Sequence, residues 1–501
     1  MAVSNVFASL REAVAGKKKY KYSAVPAPPL QEHGGVRPAN DHSLRRSRSL
    51  KLLAGAAVLL AVLSFAPLYG RASPEVGPNI SPHLWGQYSP FFSAPSTIDA
   101  ATPADCQLTF GLVLSRHGSR FPTASKTEAY RSLVDRVQST VKEYGAGYEF
   151  IKDFVYGLGS DELTPLGEME LVNSGVAFLR RYDGLARDTD PFIRASGSDR
   201  VVGSAQNFTQ GFFAAQGKST SDPISQILVL PEGGSFNNSL EHGSCPAFED
   251  GPGSDSANDK EEMWREIWAT PIMTRLNANL PEANLTLEDT VFMMDLCPFH
   301  SVVTPNATPS GFCNLFSQDE WRGYDYFRSL GKWYGYGNGN PLGSTQGVGY
   351  VNELIARLTG DAVRDRTTTN STLDSSPETF PLTRKLYADF THDNSMTSVF
   401  AALGLYNMTG ALPTRHKRPP RDTHGYSASW TVPFAGRMYV EKMHCGQEDK
   451  GKEELVRILV NNRVVPMQGC GADDLGRCKL GPLVDSLSFA RSGGLWNTCF
   501  A

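Results

Sequence analysis

Arg116, His117 and Arg120 are three side chains within five residues that could together bind and attack a phosphoryl group. Two guanidinium groups match the oxygens of a phosphoryl group, and an imidazole beside them can attack the phosphorus atom. An isolated Arg-His pair is more often part of a charged surface loop. Here the pair stands in the longer string RHGSRFPT, residues 116–123, which favours the chemical interpretation over the surface loop.

A second polar cluster, His392 and Asp393, lies far along the chain. Both clusters follow a short apolar run, Phe110–Leu114 in the first case and a run ending near Phe390 in the second. Such runs are typical of buried strands that end in a loop. Two polar clusters, each at the end of a strand, predict an α/β sheet with its site at the strand ends.

Other stretches indicate how the chain positions these clusters. Phe192–Arg200 repeats the pattern of a short apolar start, an arginine and small residues. Thr164 followed by Pro165 predicts the start of a helix that continues through Phe178. Asp250–Glu262 is rich in Gly, Ser and acidic residues, so we expect an exposed insertion there.

Length, composition and charge limit the classes of function. A chain of 501 residues that is 40% hydrophobic and 20% charged can bury a large core and form two or three domains. Its formal charge is −4, but residues 1–51 contain ten Lys and Arg and only three acids. The remainder is therefore strongly acidic, which argues against nucleic acid as its partner. An anionic substrate must be attracted by a local basic pocket.

The N-terminal segments have three different characters. Residues 1–51 are basic and lack apolar periodicity, which predicts disorder. Residues 52–69 are almost wholly apolar and just long enough to span a bilayer. The basic flank predicts a type II signal-anchor, with the rest of the chain outside the cytoplasm. A cleaved signal peptide and a buried core helix are the alternatives. Residues 70–82 resemble a stalk.

Cysteines and glycosylation sequons agree with an extracytoplasmic location. All the cysteines follow the apolar segment, and none has the Cys-x-x-Cys spacing of a zinc or redox site. An even number on one side of a membrane segment predicts disulfides in an oxidising compartment. Seven Asn-x-Ser/Thr sequons predict N-glycosylation of that part of the chain. They are Asn79, Asn207, Asn237, Asn284, Asn306, Asn370 and Asn407.

The chain from His83 to Ala501 resembles the fungal histidine acid phosphatases, and most closely the secreted phytases. The matching stretches include HLWGQYSPFF, LSRHGSRFPT, FIRASGSDRV, YADFTHDNSM and LSFARSGG. The resemblance implies the phosphoglycerate-mutase-like α/β fold, with a large sheet domain and a smaller, mainly helical domain over the active-site cleft. We expect residues 83–190 and 345–501 to form the large domain, and residues 191–344 the small one.

The resemblance also implies a role for each matching side chain. His117 matches the nucleophile that forms a phosphohistidine, and Asp393 matches the acid that protonates the leaving alcohol. The expected phosphate contacts are Arg116, Arg120, Arg194 and His392. The expected substrate-binding residues are Gln87, Lys126, Lys332 and Asn394. The implied disulfides are Cys106–Cys445, Cys245–Cys499, Cys297–Cys313 and Cys470–Cys478. No metal or other cofactor is implied, and we expect a monomer.

Three functional hypotheses remain open at this stage. The first is an acid phosphomonoesterase that hydrolyses phytate, myo-inositol hexakisphosphate, without a metal. The second is the same chemistry on a broader range of phosphomonoesters. The third is a membrane-tethered binding protein without activity, which would be expected to lack His117 or Asp393, whereas both are present.

Overall fold

The structure is a computed structural model that describes residues 81–218, 227–233, 236–251, 253–446 and 453–501. The expectations for the tail 1–51, the apolar segment 52–69, residues 70–80 of the stalk and Asn79 lie outside the described residues. Among the described helices, none combines the length and the apolar character that crossing a membrane requires.

A single mixed sheet stands at the centre of the fold. Its strands follow the order β3-β2-β4-β1-β5-β6-β7, and β8 pairs with β6. Their bounds are β1 Cys106–Arg116, β2 Phe192–Ser196, β3 Ile227–Leu230, β4 Leu386–Thr391, β5 Arg437–Cys445, β6 Glu453–Val460, β7 Arg463–Val464 and β8 Arg477–Lys479.

The two halves of the sheet differ in strand direction. Strands β3, β2, β4 and β1 are mutually parallel, whereas β5 runs antiparallel to β1 and begins the antiparallel half. Strands β1 and β4 are buried along most of their length, as expected for parallel strands covered on both faces. The carboxyl ends of the four parallel strands meet at one edge, so the loops that follow them converge there.

Helices cover the sheet and extend beyond it. The α-helices are α1 Ala124–Thr140, α2 Pro165–Arg181, α3 Asp183–Ala186, α4 Asp199–Ala215, α5 Pro246–Glu249, α6 Ser256–Asn279, α7 Leu287–Ser301, α8 Gln318–Tyr336, α9 Gly343–Gln346, α10 Val348–Thr359, α11 Ser371–Asp374, α12 Asp393–Ala402, α13 Ala428–Thr431, α14 Leu480–Ser486 and α15 Ser488–Arg491. Short 3-10 helices are Pro82–Leu84, Gly86–Tyr88, Glu149–Ile151, Gly311–Leu315, Asn407–Thr409, Pro420–Thr423, Gln468–Cys470 and Trp496–Phe500.

Two predictions about helices had different outcomes. Helix α2 begins as predicted, because the Thr164 hydroxyl accepts a hydrogen bond from the amide of Gly167. Helix α6 begins at Ser256, inside the stretch Asp250–Glu262 where an exposed insertion is expected, and no described residue of that stretch is buried. The first turns of α6 carry polar residues, and its large buried side chains, Trp264 and Trp268, come only later. The sequence pattern predicts a helix near Glu262–Leu276, and the polar start explains why its first turns were not included.

The expected boundary between the two domains must move. A boundary at residue 191 falls just before β2, and the structure places both β2 and β3 inside the main sheet. These strands pair with β4 and with each other, so the sheet domain extends at least to Leu230. The presence of a separate helical domain remains a prediction.

The four disulfides implied by the resemblance are all present. Cys106–Cys445 joins β1 to β5, where the two cysteines are paired residues of the ladder. These bonds place folding of the chain in an oxidising compartment, which is a property of the secretory pathway.

The sequon at Asn207 is contradicted by the fold. Its side chain is buried in α4, and its amide donates to the carbonyl of Gly203 at 2.8 Å. A glycan on this nitrogen would have no space in the folded chain. Among the other described sequons, Asn237, Asn284, Asn306 and Asn407 are exposed, and Asn370 is half-buried.

Candidate active site

His117 lies in the loop after β1, at the carboxyl edge of the sheet. The ring is buried, and its Nδ1 lies 2.9 Å from the carbonyl oxygen of Gly118. Because a carbonyl only accepts, Nδ1 must carry the hydrogen, which leaves Nε2 unprotonated in the neutral ring. Burial, together with Arg116 and Arg120, holds the pKa of His117 well below its usual range. The imidazole is therefore neutral and has a nitrogen that can attack.

Backbone hydrogen bonds fix this loop against three neighbouring segments. The amide of His117 donates to the carbonyl of Thr391 on β4, and its carbonyl accepts from the amide of Ala435 before β5. Gly118 permits close contact with the start of α2, since a Cβ there would come within 2.3 Å of the carbonyl oxygen of Gly167. The Glu170 carboxylate on α2 accepts from the amide of Ser119 at 2.8 Å.

The Arg116 guanidinium extends from the end of β1 beneath the site. It donates to the carbonyls of Gln87 and Val432 and lies over the ring of Phe434, with 4.6 Å from Cζ to the ring centre. One of its nitrogens lies 3.3 Å from Oδ2 of Asp393. Burial lowers the pKa of Arg116 to about 10, so the group remains charged at neutral and acid pH.

Arg120 and Arg200 complete a group of three arginines around His117. Arg120 donates to the carbonyl of Phe121, and Arg200, in the first turn of α4, lies 3.9 Å from Asp161. Both lower the pKa of the His117 imidazole. The Nε atoms of Arg116, Arg120 and Arg200 are buried and have no hydrogen-bond partner among the described residues. These donors are suited to an anion.

The sequence prediction for Arg194 as a phosphate contact is wrong. Arg194 lies inside β2, and its side chain is 2% exposed. Its Nε lies 2.9 Å from Asp389, and another nitrogen lies 2.6 Å from Glu353. Because Nε and a terminal nitrogen of this buried guanidinium already donate to carboxylates, it is not available to a substrate.

Arg200 is the arginine that the sequence analysis missed. It follows β2 in the motif FIRASGSDR, six residues after Arg194. The sequence could have indicated Arg200. A site at the carboxyl edge of a parallel sheet is formed by residues in the turn after a strand and in the first turn of the next helix. A side chain within the strand is a poorer candidate.

His392 and Asp393 follow β4 and lie beside His117, as predicted. The ring centres of His392 and His117 are 5.8 Å apart. Nε2 of His392 lies 2.7 Å from the carboxylate of Glu232, a residue after β3 that the sequence analysis did not identify. Asp393 begins α12 and lies 2.8 Å from Nζ of Lys332.

Cations control the protonation of Asp393. Burial alone would raise its pKa, but Arg116 and Lys332 hold the pKa well below the usual range of an aspartate. The carboxyl is therefore ionised when the site has no anion in it. A doubly negative phosphoryl group bound to the same cations would oppose this effect and raise the pKa of Asp393.

The expected substrate-binding residues are only partly brought together. Gln87 and Lys332 line a cavity of about 290 Å³, and the side-chain oxygen of Asn394 accepts a hydrogen bond from Lys332. Lys126 is not among the residues that line this cavity, and its ammonium group lies 4.3 Å from the ring centre of Phe292. Within the described ranges, no group of three or more His, Cys, Asp or Glu side chains could hold a metal ion.

Comparisons with known proteins agree with this geometry. Residues 107–461 match the family model described as histidine phosphatase superfamily, branch 2. Phytase A of Aspergillus oryzae is 50% identical over 429 residues, which cover 84% of this chain and 91% of that protein. Phytase A of Aspergillus fumigatus is 47% identical over 465 residues, 90% and 99% of the two chains.

Two solved structures share the fold. The phytase from D. castellii superposes with a TM-score of 0.68 at 20% identity and covers 82% of this chain and 86% of its own. The Bifidobacterium longum multiple inositol polyphosphate phosphatase in complex with inositol hexasulfate has a TM-score of 0.56 at 15% identity, with 81% and 97% covered. At these identities, the likeness shows the fold alone.

Proposed function

The chain belongs to branch 2 of the histidine phosphatase superfamily, and we propose that it hydrolyses phytate as an acid phosphomonoesterase. One observation of the structure carries this proposal. A neutral, buried His117, with its Nδ1 hydrogen held by a carbonyl, stands among three arginines whose Nε donors are unpaired within the described residues. The two relatives, about half identical over most of the chain, bear the name Phytase A.

Phosphoryl transfer to the enzyme is the first step. Nε2 of His117 attacks phosphorus, and the bond between phosphorus and the inositol oxygen breaks. Its electron pair stays on that oxygen, which takes the proton of Asp393. Arg116, Arg120 and Arg200 neutralise the oxygens of the transferred group, a role that Mg²⁺ often fills in kinases.

Hydrolysis of the phosphohistidine is the second step. Water attacks phosphorus and loses a proton to the Asp393 carboxylate, while the phosphorus–nitrogen bond breaks and returns its electron pair to Nε2. Inorganic phosphate leaves, and His117 and protonated Asp393 are restored. An acidic optimum follows, because Asp393 must hold a proton when the first step begins.

The test is phosphate release from phytate and from an aryl phosphate between pH 2 and 8, with and without EDTA. The full chain in detergent is compared with His117→Ala, which we expect to lose at least about 1,000-fold in kcat. Turnover of phytate at acid pH that EDTA does not affect and that the variant lacks supports the proposal. Turnover of the aryl ester alone would leave a broad-specificity acid phosphatase. No turnover of either would favour the inactive binding protein.

We also propose that residues 52–69 anchor the chain in a membrane with the catalytic part outside the cytoplasm. The apolar length, the basic flank and the downstream disulfides support this topology. Alkaline carbonate extraction of a membrane fraction tests it. Retention of the full-length chain in the pellet is expected, whereas a shorter chain in the supernatant would indicate a cleaved signal peptide.

A further inference from the structure

Arg437, the first residue of β5, lines a cavity that is separate from the one beside the reacting residues. In the ladder between β1 and β5 it pairs with Ser115. Because successive side chains of a strand point to opposite faces of the sheet, Arg437 and Arg116 extend from opposite faces. The cavity at Arg437 has a volume of about 310 Å³ and shares no lining residue with the cavity that contains Lys332.

The guanidinium of Arg437 is buried and has no anion paired with it. The side chain is 4% exposed, and its Cζ lies 3.6 Å from the ring centre of Phe91. Among the described residues, none accepts a hydrogen bond from this guanidinium, and no carboxylate oxygen lies within 4.0 Å of it. An arginine stays charged in a folded protein, and a buried charge without a partner is costly. The cavity is therefore the place where an anion could compensate it.

The other lining residues indicate which anion fits. The cavity is also lined by Phe91, Glu170, Asn173, Ala177, Tyr439 and Asn462. A guanidinium presents parallel N–H groups that match two oxygens of a carboxylate or a phosphate. A carboxylate uses both of its oxygens in that arrangement, whereas a phosphate keeps further oxygens for the side-chain amide of Asn173. The set of donors therefore favours inorganic phosphate.

Glu170 is the one acid among the described residues that line this cavity, and its charge is partly offset. Its Oε1 accepts from the amide of Phe91 and its Oε2 from the amide of Ser119, each at 2.8 Å. Burial raises the pKa of Glu170, and these amides and Arg437 oppose the rise only in part. In acid solution the carboxyl therefore repels an anion less than an ordinary glutamate would.

We propose that Arg437 is the centre of a second phosphate site, on the face of the sheet opposite to Arg116. Its guanidinium donates to two oxygens of inorganic phosphate, and the amide of Asn173 donates to a third. Binding there stabilises the folded chain, because the site exists only in the fold. The inference does not depend on the proposed function, since neither His117 nor Asp393 contributes a group to the site.

Equilibrium dialysis against radiolabelled inorganic phosphate at pH 5 counts the sites. The full chain in detergent is compared with Arg437→Met, with Arg200→Gln and with the variant that carries both substitutions. Methionine keeps an unbranched side chain against Phe91 and removes the charge. We expect about two phosphates per wild-type chain, about one in each single variant and none in the double variant. The affinity of the site at Arg437 should fall at least about tenfold in Arg437→Met.

A surface substitution tests the same site without changing a buried residue. Ala177 is exposed on α2 and lines the cavity, so Ala177→Glu places a carboxylate where it repels the anion. In the Arg200→Gln background, we expect phosphate to bind about fivefold more weakly. Met169→Glu is the matched control, because it adds the same charge at an exposed position of α2 that does not line the cavity. It should bind phosphate as its parent does.

The outcomes separate this inference from the proposed function. Equal binding of phosphate by the wild type and Arg437→Met, or by Ala177→Glu and Met169→Glu, would overturn the inference and leave the phosphatase intact. A single phosphate that is lost in Arg437→Met and retained in Arg200→Gln would support the site at Arg437. That result would contradict the proposed role of Arg200 in the active site.

Discussion

Two groups of arginines lie close together in this fold and differ in what surrounds them. In the first, Arg194 and Arg357 meet the carboxylates of Asp389 and Glu353 in a buried network between β2, β4 and α10. In the second, Arg116, Arg120 and Arg200 surround a neutral histidine, and their closest carboxylate is Asp393, 3.3 Å from Arg116.

The comparison shows that carboxylate partners decide the role of an arginine. The charges of the first group are balanced by buried acids, so losing one member is costly, although Arg357 also has two buried nitrogens without a partner among the described residues. The second group has unbalanced positive charge and buried Nε donors without partners among the described residues. This group of arginines is therefore suited to bind an anion. The following predictions test this division, beginning with the largest expected effect.

Arg194→Gln should chiefly reduce stability. Removing this guanidinium leaves Asp389 and Glu353 buried with only Arg357 nearby, and the loss of one partner from a buried ion pair costs about 3–5 kcal/mol. The free energy of unfolding from urea titration measures the effect. As a control, Arg187→Gln removes an exposed pair with Asp183 and should change stability by less than about 1 kcal/mol. A small effect of Arg194→Gln would show that the network is not structural.

Arg200→Gln should chiefly reduce turnover and leave stability almost unchanged. Loss of one group that neutralises the transferred phosphoryl oxygens typically costs about 100- to 1,000-fold in kcat. We expect such a decrease in kcat/KM for an aryl phosphate, with the free energy of unfolding changed by less than about 1 kcal/mol. The opposite result would be an unfolded Arg200→Gln protein and a folded Arg194→Gln protein without turnover. It would mean that Arg194 contacts the phosphoryl group and that Arg200 is structural.

Much of the site could be predicted because local sequence determines it. The strings RHGSRFPT and THDN each stand directly after an apolar strand, so His117, His392 and Asp393 could be placed at the sheet edge without coordinates. The disulfides followed from the resemblance. In contrast, the N–H direction of the His117 ring depends on the carbonyl of Gly118, which only the folded loop brings within 2.9 Å.

The errors concern contacts between distant segments. Arg194 and Arg200 have similar local surroundings in the sequence, and only the pairing of β2 with β4 places Asp389 beside Arg194. Glu232 was missed for the same reason. It belongs to a polar stretch typical of a loop, and it contacts His392 because the parallel strands β3 and β4 end at the same edge of the sheet.

The balanced network should also account for part of the loss of stability in acid. Burial alone would raise the pKa of Asp389, but Arg194 and Arg357 lower it to about 2. Because the folded pKa lies below the unfolded value near 3.9, this carboxylate contributes stability at higher pH and loses it as pH falls from about 4 to 2. The contribution is about 2–3 kcal/mol. Asp389→Asn should be less stable at pH 5, and its unfolding free energy should decrease less between pH 5 and 2. Parallel curves for both proteins would contradict this assignment.

Lys332→Met should move the pH profile by a smaller amount. Lys332 is one of the cations that hold the pKa of Asp393 low, at an Nζ–Oδ2 distance of 2.8 Å. Removing it raises that pKa, and a proton donor with a higher pKa remains protonated to higher pH. The decrease in kcat/KM for an aryl phosphate on the alkaline side should therefore shift upward by about one pH unit.

An exposed lysine provides the control for that experiment. Lys479→Met removes a cation paired with Glu453 at the far end of the sheet and should leave the pH profile unchanged. A shift of the Lys332→Met profile to lower pH would mean that Asp393 does not act as the proton donor. A shift of the Lys332→Met profile to higher pH would support Asp393 as the proton donor and Lys332 as one of the cations that lower its pKa. In the balanced network, Arg194 and Arg357 keep Asp389 ionised down to about pH 2. In the site, a bound phosphoryl group offsets the charge of the cations, which lets Asp393 acquire its proton.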